Sequence, residues 1–458
     1  MKDQFALTAP CLDAVFIMAS QLNLFRRSAF SSMFFTQFFG AFNDNVFKQA
    51  LILVLTYSAA VKLGMEVSLL NNLAAMLFIL PYFLFSALAG QIADKYEKSL
   101  LTRRIKLLEI IIMTVAAIGF IFEIYSLLFI CLFMMGAQST FFGPIKYAYL
   151  PEAMHRDELV AANGLFQTST SLAILTGMML AGVLTQLYLS EYWLAAVTIF
   201  VAILGYLAAR QIPKTTVRAA DLDIDWNIVR TSYGIIKYLY SLPLLFFIIL
   251  ANSWFWFYGA TFLTQTPEVS KVLLHGDESV VIFLLTLFSV GIAIGSLLCK
   301  TLTKNQVSFR LLPFGLAGLT LFAALLYFSL NQLSLPAPVE PYGIFELIAH
   351  RDTWPVFAEL FLLGFSGGVY IVPLYTAMQA YAPIAHRSRI VGANNIFNAL
   401  FMVVSAIFAI VVLAMMTLPE LFAITAVVNV VVGAFLYIKL TKYDRSLPIN
   451  TDDTPMLS

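Results

Sequence analysis

The chain has 458 residues, of which 60% are hydrophobic and only 12% are charged. Soluble domains carry about 25% charged residues, so this composition excludes an ordinary soluble domain and indicates an integral membrane protein. The formal net charge of +1 gives no electrostatic support for a nucleic-acid partner. The three cysteines and four histidines are scattered and show neither a disulfide framework nor metal-ligand spacing, so we expect no metal and no cofactor.

Twelve apolar runs are long enough to cross a bilayer as helices, which pair all backbone groups within each span. They cover residues 34–59, 69–93, 105–123, 126–149, 160–187, 191–209, 243–263, 279–300, 310–330, 354–380, 390–415 and 419–439. We therefore predict an all-α membrane protein with twelve transmembrane helices. With both termini in the cytoplasm, the outer loops contain only three basic residues, Lys62, Lys271 and Arg351, which is the asymmetry that supports this orientation.

The first predicted span contains an acidic residue, Asp44, close to its middle. A carboxylate in hydrocarbon costs roughly 2.5–3.5 kcal/mol, so such residues usually face a polar cavity and serve function. Lys48 lies four residues later on the same helix face. Two interpretations remain open. Either the two charges neutralise each other inside the bundle, or they line a cavity together with Asn43 and Asn45 and receive a cation, a proton or a polar head group.

The loop after the second span contains Gly90, Asp94 and Lys95, followed by Arg103 and Arg104. This pattern resembles the loop between the second and third spans of the major facilitator superfamily. In that family the loop latches the cytoplasmic face and shifts during alternation, and the resemblance implies this role for the five residues. The other interpretation is an ordinary basic cytoplasmic loop.

A lysine, Lys146, lies late in the fourth span and follows Gly143 and Pro144. The proline kinks the helix, and a lysine turned inward by the kink would bind a phosphate or a carboxylate. Alternatively, Lys146 extends to the cytoplasmic interface. Two acidic residues, Glu109 and Glu359, lie nearer the ends of their spans and are expected at the interface.

Amides recur at helical spacing in two spans. Asn163 and Gln167 share a face of the fifth span, and Asn394 and Asn398 share a face of the eleventh. Each pair either lines the cavity or holds neighbouring helices together by hydrogen bonds.

The longest predicted cytoplasmic segment, residues 210–242, separates six spans from six and contains an acidic linker that leads into a short interfacial helix. The predicted organisation is a cytoplasmic tail (1–30), a six-helix half (31–209), this linker, a second half (243–440) and a tail (441–458). No cleaved signal peptide is expected, and Met18 is a second candidate start.

The two halves resemble each other in sequence. A proline, a His-Arg pair and a Val-x-Ala-Asn motif recur in the same order in 144–166 and 373–397. Parallel six-helix repeats are typical of the major facilitator architecture, in which substrate binds near the membrane midplane between the halves.

Five short motifs also resemble one branch of that superfamily, the bacterial lysophospholipid transporters. The first-span motif is Gln-Phe-Phe-Gly-Ala-Phe-Asn-Asp-Asn; the others are Gly-Pro-Ile-Lys-Tyr, Ala-Ala-Asn-Gly-Leu, Val-Pro-Leu and Val-Gly-Ala-Asn, and together they lie in 37–45, 143–147, 161–165, 372–374 and 391–394. The likeness extends over essentially the whole chain from about Phe30 onward.

This resemblance implies a non-enzymatic monomeric carrier in the bacterial inner membrane. It would move lysophospholipids, mainly lysophosphatidylethanolamine and lysophosphatidylglycerol, from the outer to the inner leaflet for re-acylation. Membrane lipid is then both solvent and source of substrate. Some relatives are fused to an acyltransferase and an acyl-carrier-protein synthetase; here the acylating partner is expected to be a separate protein. Asp44 would meet the substrate ammonium and Lys146 the phosphate.

Other functions stay open from the sequence. In a proton-coupled carrier of a small solute or drug, Asp44 would be the proton site. A membrane scaffold, or an anchor for an acyltransferase complex, would show no flux by itself. A membrane-embedded enzyme lacks any nucleophile–base or metal constellation in the sequence. Head-group preference and energy coupling are not decided by the sequence.

Overall fold

The computed structural model describes residues 21–56, 67–217, 219–304, 306–336 and 340–444. The end of the first predicted span, residues 1–20 of the predicted N-terminal tail and most of the C-terminal tail lie outside these residues. The described chain is helical, and the long or regular helices are α1 Ser28–Val54, α2 Val67–Lys95, α3 Lys98–Ile121, α4 Tyr125–Ala153, α5 Leu159–Thr185, α6 Ser190–Arg210, α7 Ile228–Tyr240, α8 Pro243–Glu268, α9 Glu278–Thr303, α10 Leu312–Gln332, α11 Ile344–Ala349, α12 Trp354–Tyr381, α13 Arg387–Leu413 and α14 Leu418–Asp444.

Ten of these helices are long and apolar enough to cross a membrane, as judged over the described residues. They are α2, α4, α5, α6, α8, α9, α10, α12, α13 and α14. The chain is therefore an all-helical, multi-pass membrane protein. The remaining two long helices, α1 with 27 residues and α3 with 24, contain charged side chains and fall outside this group.

Local sequence signals fix several helix starts. Asp277 caps α9 by accepting from the backbone N–H groups of Ser279 and Val280. Glu97 caps α3 in the same way, and Pro243 begins α8, where its missing N–H leaves no helical bond unmade. Because Glu97 is the cap, the charged first turns after it belong to α3, which begins seven residues before the span predicted from hydropathy.

The buried apolar side chains form three clusters. The largest is drawn almost wholly from 235–440, with only Ala87 and Val160 from earlier in the chain. The other two lie between Leu24 and Ile212, apart from Leu297 at their edge. The two parts of the sequence therefore bury separate cores. Contacts between α2 and α13 and between α5 and α9 join them.

Helices α9 and α12 approach unusually closely through two small-residue motifs. Gly291 and Gly295 of α9 face backbone carbonyls of α12, while Gly364 and Gly368 of α12 face carbonyls of α9. Small residues four apart allow membrane helices to pack backbone against backbone. We infer that this helix pair is the most tightly constrained part of the second core.

Replacing Gly295 with alanine should destabilise the protein, because the added methyl would collide with the Phe365 carbonyl. Overpacking of this kind costs about 1–3 kcal/mol. The matched control is Gly182→Ala, since a methyl at Gly182 has no atom within 4 Å. Thermal unfolding in detergent should show a lower midpoint for Gly295→Ala alone. Equal midpoints for the two variants would contradict the close packing of α9 and α12.

Candidate functional site

Asp44 lies on α1 and is partly buried as a residue, while its Oδ1 atom is fully buried. One carboxylate oxygen, Oδ2, accepts a hydrogen bond from Ser139 Oγ of α4 at 2.5 Å. The other, Oδ1, has no hydrogen-bond partner. Asp44 therefore keeps an unused acceptor deep within the helical bundle.

Apart from Lys106 on α3, two lysines lie close enough to Asp44 to attract its charge, Lys48 on α1 and Lys146 on α4. Neither forms an ion pair with it within 4.0 Å, and among the described residues neither ammonium group donates a hydrogen bond. Instead, Lys48 Nζ lies 5.4 Å from the centre of the Phe78 ring. Lys146 Nζ lies 4.9 Å from the centre of the Tyr147 ring. The self-neutralising Asp44–Lys48 pair is thus not formed as a direct ion pair, and Asp44, Lys48 and Lys146 have no ionic partner within 4.0 Å among the described residues.

A second charged cluster, formed by Lys106 and Glu109, contacts Asn43, the residue before Asp44. It was not identified from the sequence. Lys106 Nζ donates to Glu109 Oε2 at 2.7 Å, and both side chains are fully buried. Glu109 also accepts from Asn43 Nδ2 at 3.0 Å and from Gln138 Nε2 at 2.9 Å. The expectation that Glu109 is interfacial is therefore wrong. The sequence signal for this pair was the spacing of Lys106 and Glu109, three residues apart within one apolar run.

The buried Lys106–Glu109 cluster positions Asp44 and Ser139, which are partly buried. Glu109 binds Asn43 and Gln138, and these residues immediately precede Asp44 and Ser139 in the chain. One carboxylate thus fixes α1 and α4 at the two positions that form the Asp44–Ser139 hydrogen bond. Lys106 Nζ, which binds Glu109, lies against Gly40, where any larger side chain would collide with it. Removing Glu109 would therefore disturb the geometry of Asp44 without touching it.

The predicted amides divide between different environments. Asn45 donates to the Ala41 carbonyl of its own helix at 2.7 Å. Asn163 and Gln379 exchange two hydrogen bonds, 2.7 and 3.1 Å, and join α5 to α12. Gln167, one turn further along α5, is buried. Of these predicted residues, Asn163 holds two helices together, which is the second interpretation given to it above, while Asn45 bonds only its own helix.

The wall formed by α8, α12 and α13 carries neutral polar groups. When its amide is oriented to satisfy both atoms, Asn398 donates to Ser253 Oγ at 2.9 Å and accepts from Trp256 Nε1 at 3.1 Å. Asn394 is fully buried beside them. Trp256 also lies 3.3 Å from the Tyr375 hydroxyl. These groups on α8, α12 and α13 are uncharged donors and acceptors, in contrast to the charged residues on α1, α3 and α4. Glu359, near the start of α12, is buried and accepts a hydrogen bond from Ser329 Oγ at 2.7 Å.

Two of the predicted latch residues meet α13. Asp94 accepts from the backbone N–H of Ser388 at 2.9 Å and from Nε of Arg389 at 3.0 Å. A side chain on Gly90 would collide with the backbone of these residues, so glycine permits the approach of α2. The acidic group also lies at the N-terminus of α13, where the helix dipole stabilises negative charge.

The other three predicted latch residues do not reach α13. Arg103 donates to the Ile212 carbonyl at 3.0 Å and so fastens α3 to the segment after α6. Lys95 is half-buried and Arg104 is exposed. Arg389, the ion-pair partner of Asp94, was missed, although the basic residues after the second half's proline motif gave a signal for it.

Further contacts close the bundle near the same end. The rings of Tyr147 and Tyr375 stack with centroids 4.6 Å apart and an interplanar angle of 5°. Together with the Asn163–Gln379 and Asp94–Arg389 contacts, this stack joins α2, α4 and α5 to α12 and α13. We call the end that contains Asp94 and Arg389 the basic end. Lys146 is next to Tyr147 in the chain, so one of these contacts lies directly beside it.

A sequence profile of the Major Facilitator Superfamily matches residues 33–345, more than half of the chain. The chain belongs to the Major Facilitator Superfamily. Family membership and the ten apolar helices make it a multi-pass membrane transporter.

Several relatives carry the name lysophospholipid transporter LplT. The chain is 28% identical over 371 residues to the lysophospholipid transporter LplT of Cronobacter sakazakii, with 78% of this chain and 81% of the relative aligned. It is also 28% identical over 367 residues to LplT of Escherichia fergusonii, with the same coverage. The recognition of an LplT-like superfamily member from the motifs is confirmed.

Solved structures of other superfamily members have the same fold. The fucose transporter FucP in its outward conformation gives a TM-score of 0.66 at 12% identity, covering 90% of this chain and 99% of FucP. The human organic anion transporter MFSD10 gives 0.68 at 14% identity with the same coverage. These identities support the fold alone.

Replacing Glu109 with glutamine should destabilise the transporter, because the buried Lys106 ammonium would lose its counter-charge. Breaking one partner of a buried ion pair costs about 3–5 kcal/mol. Adding Lys106→Met removes the second charge and should recover part of that loss. Glu359→Gln is the matched control, since Glu359 is a buried acid whose described partner is a serine rather than a cation. Thermal unfolding that ranks Glu109→Gln with the control would refute the structural role of the pair.

Replacing Asp94 with asparagine should loosen the basic end, because both the Arg389 ion pair and the charge at the α13 N-terminus are lost. Spin labels on α2 and α13 at this end should report a broader and longer distance distribution. The exchange Asp94→Arg with Arg389→Asp should not restore it, since Asp94 also accepts backbone N–H groups. Asp221→Asn, an exposed acid of the linker, is the control. An unchanged distribution in Asp94→Asn would argue against a latch.

Proposed function

We propose that this transporter moves lysophospholipids, such as lysophosphatidylethanolamine, from the outer to the inner leaflet of the bacterial inner membrane for re-acylation. The observation that carries the proposal is the set of unpartnered opposite charges, Asp44 Oδ1 and Lys146 Nζ, deep in a bundle whose relatives are lysophospholipid transporters. A zwitterionic head group presents both matching charges. Direction, substrate and mechanism are parts of this proposal.

The proposed architecture has twelve spans in two parallel six-helix halves, with α1 and α3 completing the ten apolar helices. At about 1.5 Å per residue, their 27 and 24 residues extend beyond a ~30 Å hydrocarbon core. Lys98, Lys106 and Glu109 of α3 are buried in the bundle rather than facing lipid, which is consistent with a span of low hydropathy. The sequence repeat in 144–166 and 373–397 supports the two halves.

The proposed orientation places the basic end and both termini in the cytoplasm. Basic residues concentrate in the loops at that end, as the positive-inside rule requires. In the proposed state, the Asp94–Arg389, Asn163–Gln379 and Tyr147–Tyr375 contacts close the cytoplasmic side and the site opens to the outer leaflet. Such a state is the one that would receive lysophospholipid before the halves rock to the opposite conformation.

The chemistry of the site suits an amphiphile with a charged head group. Asp44 would accept from the ammonium, and Lys146, helped by Lys48, would donate to the phosphate, so that both charges exchange water for charge-assisted hydrogen bonds. The neutral groups on α8, α12 and α13 would face the glycerol part. The acyl chain would lie along apolar side chains or remain in lipid. A separate acyltransferase would consume the product.

Two lysophospholipids with different head groups separate the roles of the charges. Both carry a phosphate, but only lysophosphatidylethanolamine carries an ammonium. Asp44→Asn should therefore slow flipping of lysophosphatidylethanolamine about 10- to 100-fold, the value of one charged hydrogen bond, and affect lysophosphatidylglycerol less. Lys146→Gln should slow both. Flipping would be measured with labelled lipids in proteoliposomes, with and without a pH gradient.

The matched controls are Glu359→Gln and Lys442→Gln, a buried acid and an exposed base that are not among the residues facing Asp44. Both should flip lysophospholipids at the native rate. Native rates in Asp44→Asn and Lys146→Gln would overturn the proposed roles. Flux of a soluble solute that depends on a pH gradient, without lipid flipping, would instead favour a proton-coupled carrier with Asp44 as its proton site.

A further inference from the structure

The linker helix α7 exposes a stripe of large apolar and aromatic side chains. Trp226, just before the helix, and Val229, Tyr233 and Tyr240 within it are 63–78% exposed. The spacing of four and seven residues places Val229, Tyr233 and Tyr240 on one face of α7, and Trp226 is exposed in the segment that leads into it. The opposite face, with Thr231, Ile235 and Leu239, is buried against the bundle. Four such side chains in one stripe would be unfavourable in water, so another surface must cover them.

The stripe lies at the membrane boundary. Only Ser241 and Leu242 separate α7 from α8, whose apolar length begins at Pro243. At the end of the stripe, the Tyr240 ring lies 4.7 Å from the ring of Phe246 in the first turns of α8. The exposed face of α7 is therefore continuous with the surface of a membrane-crossing helix. Tryptophan and tyrosine are the residues that favour this level of a bilayer.

Basic residues run along one edge of the stripe. Arg230 and Lys237 are exposed and seven residues apart, which places them on one side of α7, next to Tyr233. Arg230 is paired with Asp225 at the start of the helix, while Lys237 has no ion pair among the described residues. An aromatic face with a basic edge matches the head-group region of a leaflet that contains anionic phospholipid.

The helix also contacts both sides of the latch. The Tyr238 ring stacks on His386 at 4.7 Å, three residues before Arg389. The backbone N–H of Asp225 donates to Gln91 Oε1 at 2.9 Å, one residue after Gly90. Thr231 Oγ1 donates to the Asp225 carbonyl and holds the entry segment against the helix. The buried face of α7 thus has fixed partners, and only its exposed face is available to lipid.

We propose that α7 is a docking surface for anionic phospholipid of the leaflet at the basic end. Trp226, Val229, Tyr233 and Tyr240 insert among the lipid head groups, and Arg230 and Lys237 bind their phosphates. This surface is separate from the Asp44 site. It does not depend on which substrate the transporter carries.

The test uses the full-length transporter in nanodiscs that contain brominated phosphatidylglycerol or brominated phosphatidylcholine. The fluorescence of Trp226 is obtained as the difference between the native protein and Trp226→Phe. Bromine should quench this component, and phosphatidylglycerol should quench it more strongly than phosphatidylcholine. Lys237→Gln should reduce the preference for phosphatidylglycerol by up to about fivefold, and addition of Arg230→Gln should reduce it further.

Lys214→Gln is the matched control, because Lys214 is an exposed lysine of the same linker outside α7. It should retain the native preference for phosphatidylglycerol. Quenching of Trp226 by aqueous iodide but by neither brominated lipid would overturn the docking surface. Equal quenching by the two lipids in the native protein would overturn the assignment to anionic phospholipid. Lys237→Gln leaves the Arg230–Asp225 pair intact, so its result does not depend on the first turn of the helix.

Discussion

A charge inside a bilayer must be neutralised, hydrogen-bonded or placed against a polar space, and this transporter uses each solution at a different depth of one bundle. Lys106 and Glu109 neutralise each other where no space remains around them. Asp94 and Arg389 do so at the basic end, where two helices meet. Asp44 and Lys146 are left without ionic partners at partly accessible positions. The paired charges therefore stabilise the bundle, whereas the unpaired charges form the candidate site.

The paired and unpaired groups are mechanically connected. Glu109 holds the residues next to Asp44 and Ser139, so the orientation of the free carboxylate depends on a fully buried ion pair. At the other boundary of the site, Lys146 is adjacent in sequence to Tyr147, whose ring closes on Tyr375. A ligand phosphate drawn to Lys146 would therefore act beside the innermost closing contact. The residue proposed to bind the phosphate, Lys146, and the residue that contacts α12, Tyr147, are therefore neighbours on α4.

Hydropathy predicted most of the helices because satisfying the backbone in lipid leaves few alternatives. The predicted span 354–380, for example, corresponds to Trp354–Tyr381. Glu109 was misplaced because its depth was counted from the first apolar residue. The helix actually begins with charged turns at Lys98, which puts Glu109 near its middle.

The partners of site residues could not be predicted because they depend on contacts between distant segments. Asp94 was singled out from its loop, but its partner Arg389 lies 295 residues away, and the basic residues there did not indicate which group they bind. Likewise, Asn43 and Asn45 flank Asp44 identically in sequence. Helix rotation directs Asn43 to Glu109 and Asn45 to its own backbone.

The most direct test of the central claim is an experimental structure of the transporter with bound lysophosphatidylethanolamine. The account predicts head-group density between α1 and α4, with the phosphate within hydrogen-bond distance of Lys146 Nζ and the ammonium at Asp44 Oδ1. A head group bound elsewhere, with Asp44 enclosed by side chains and closed to both leaflets, would contradict it.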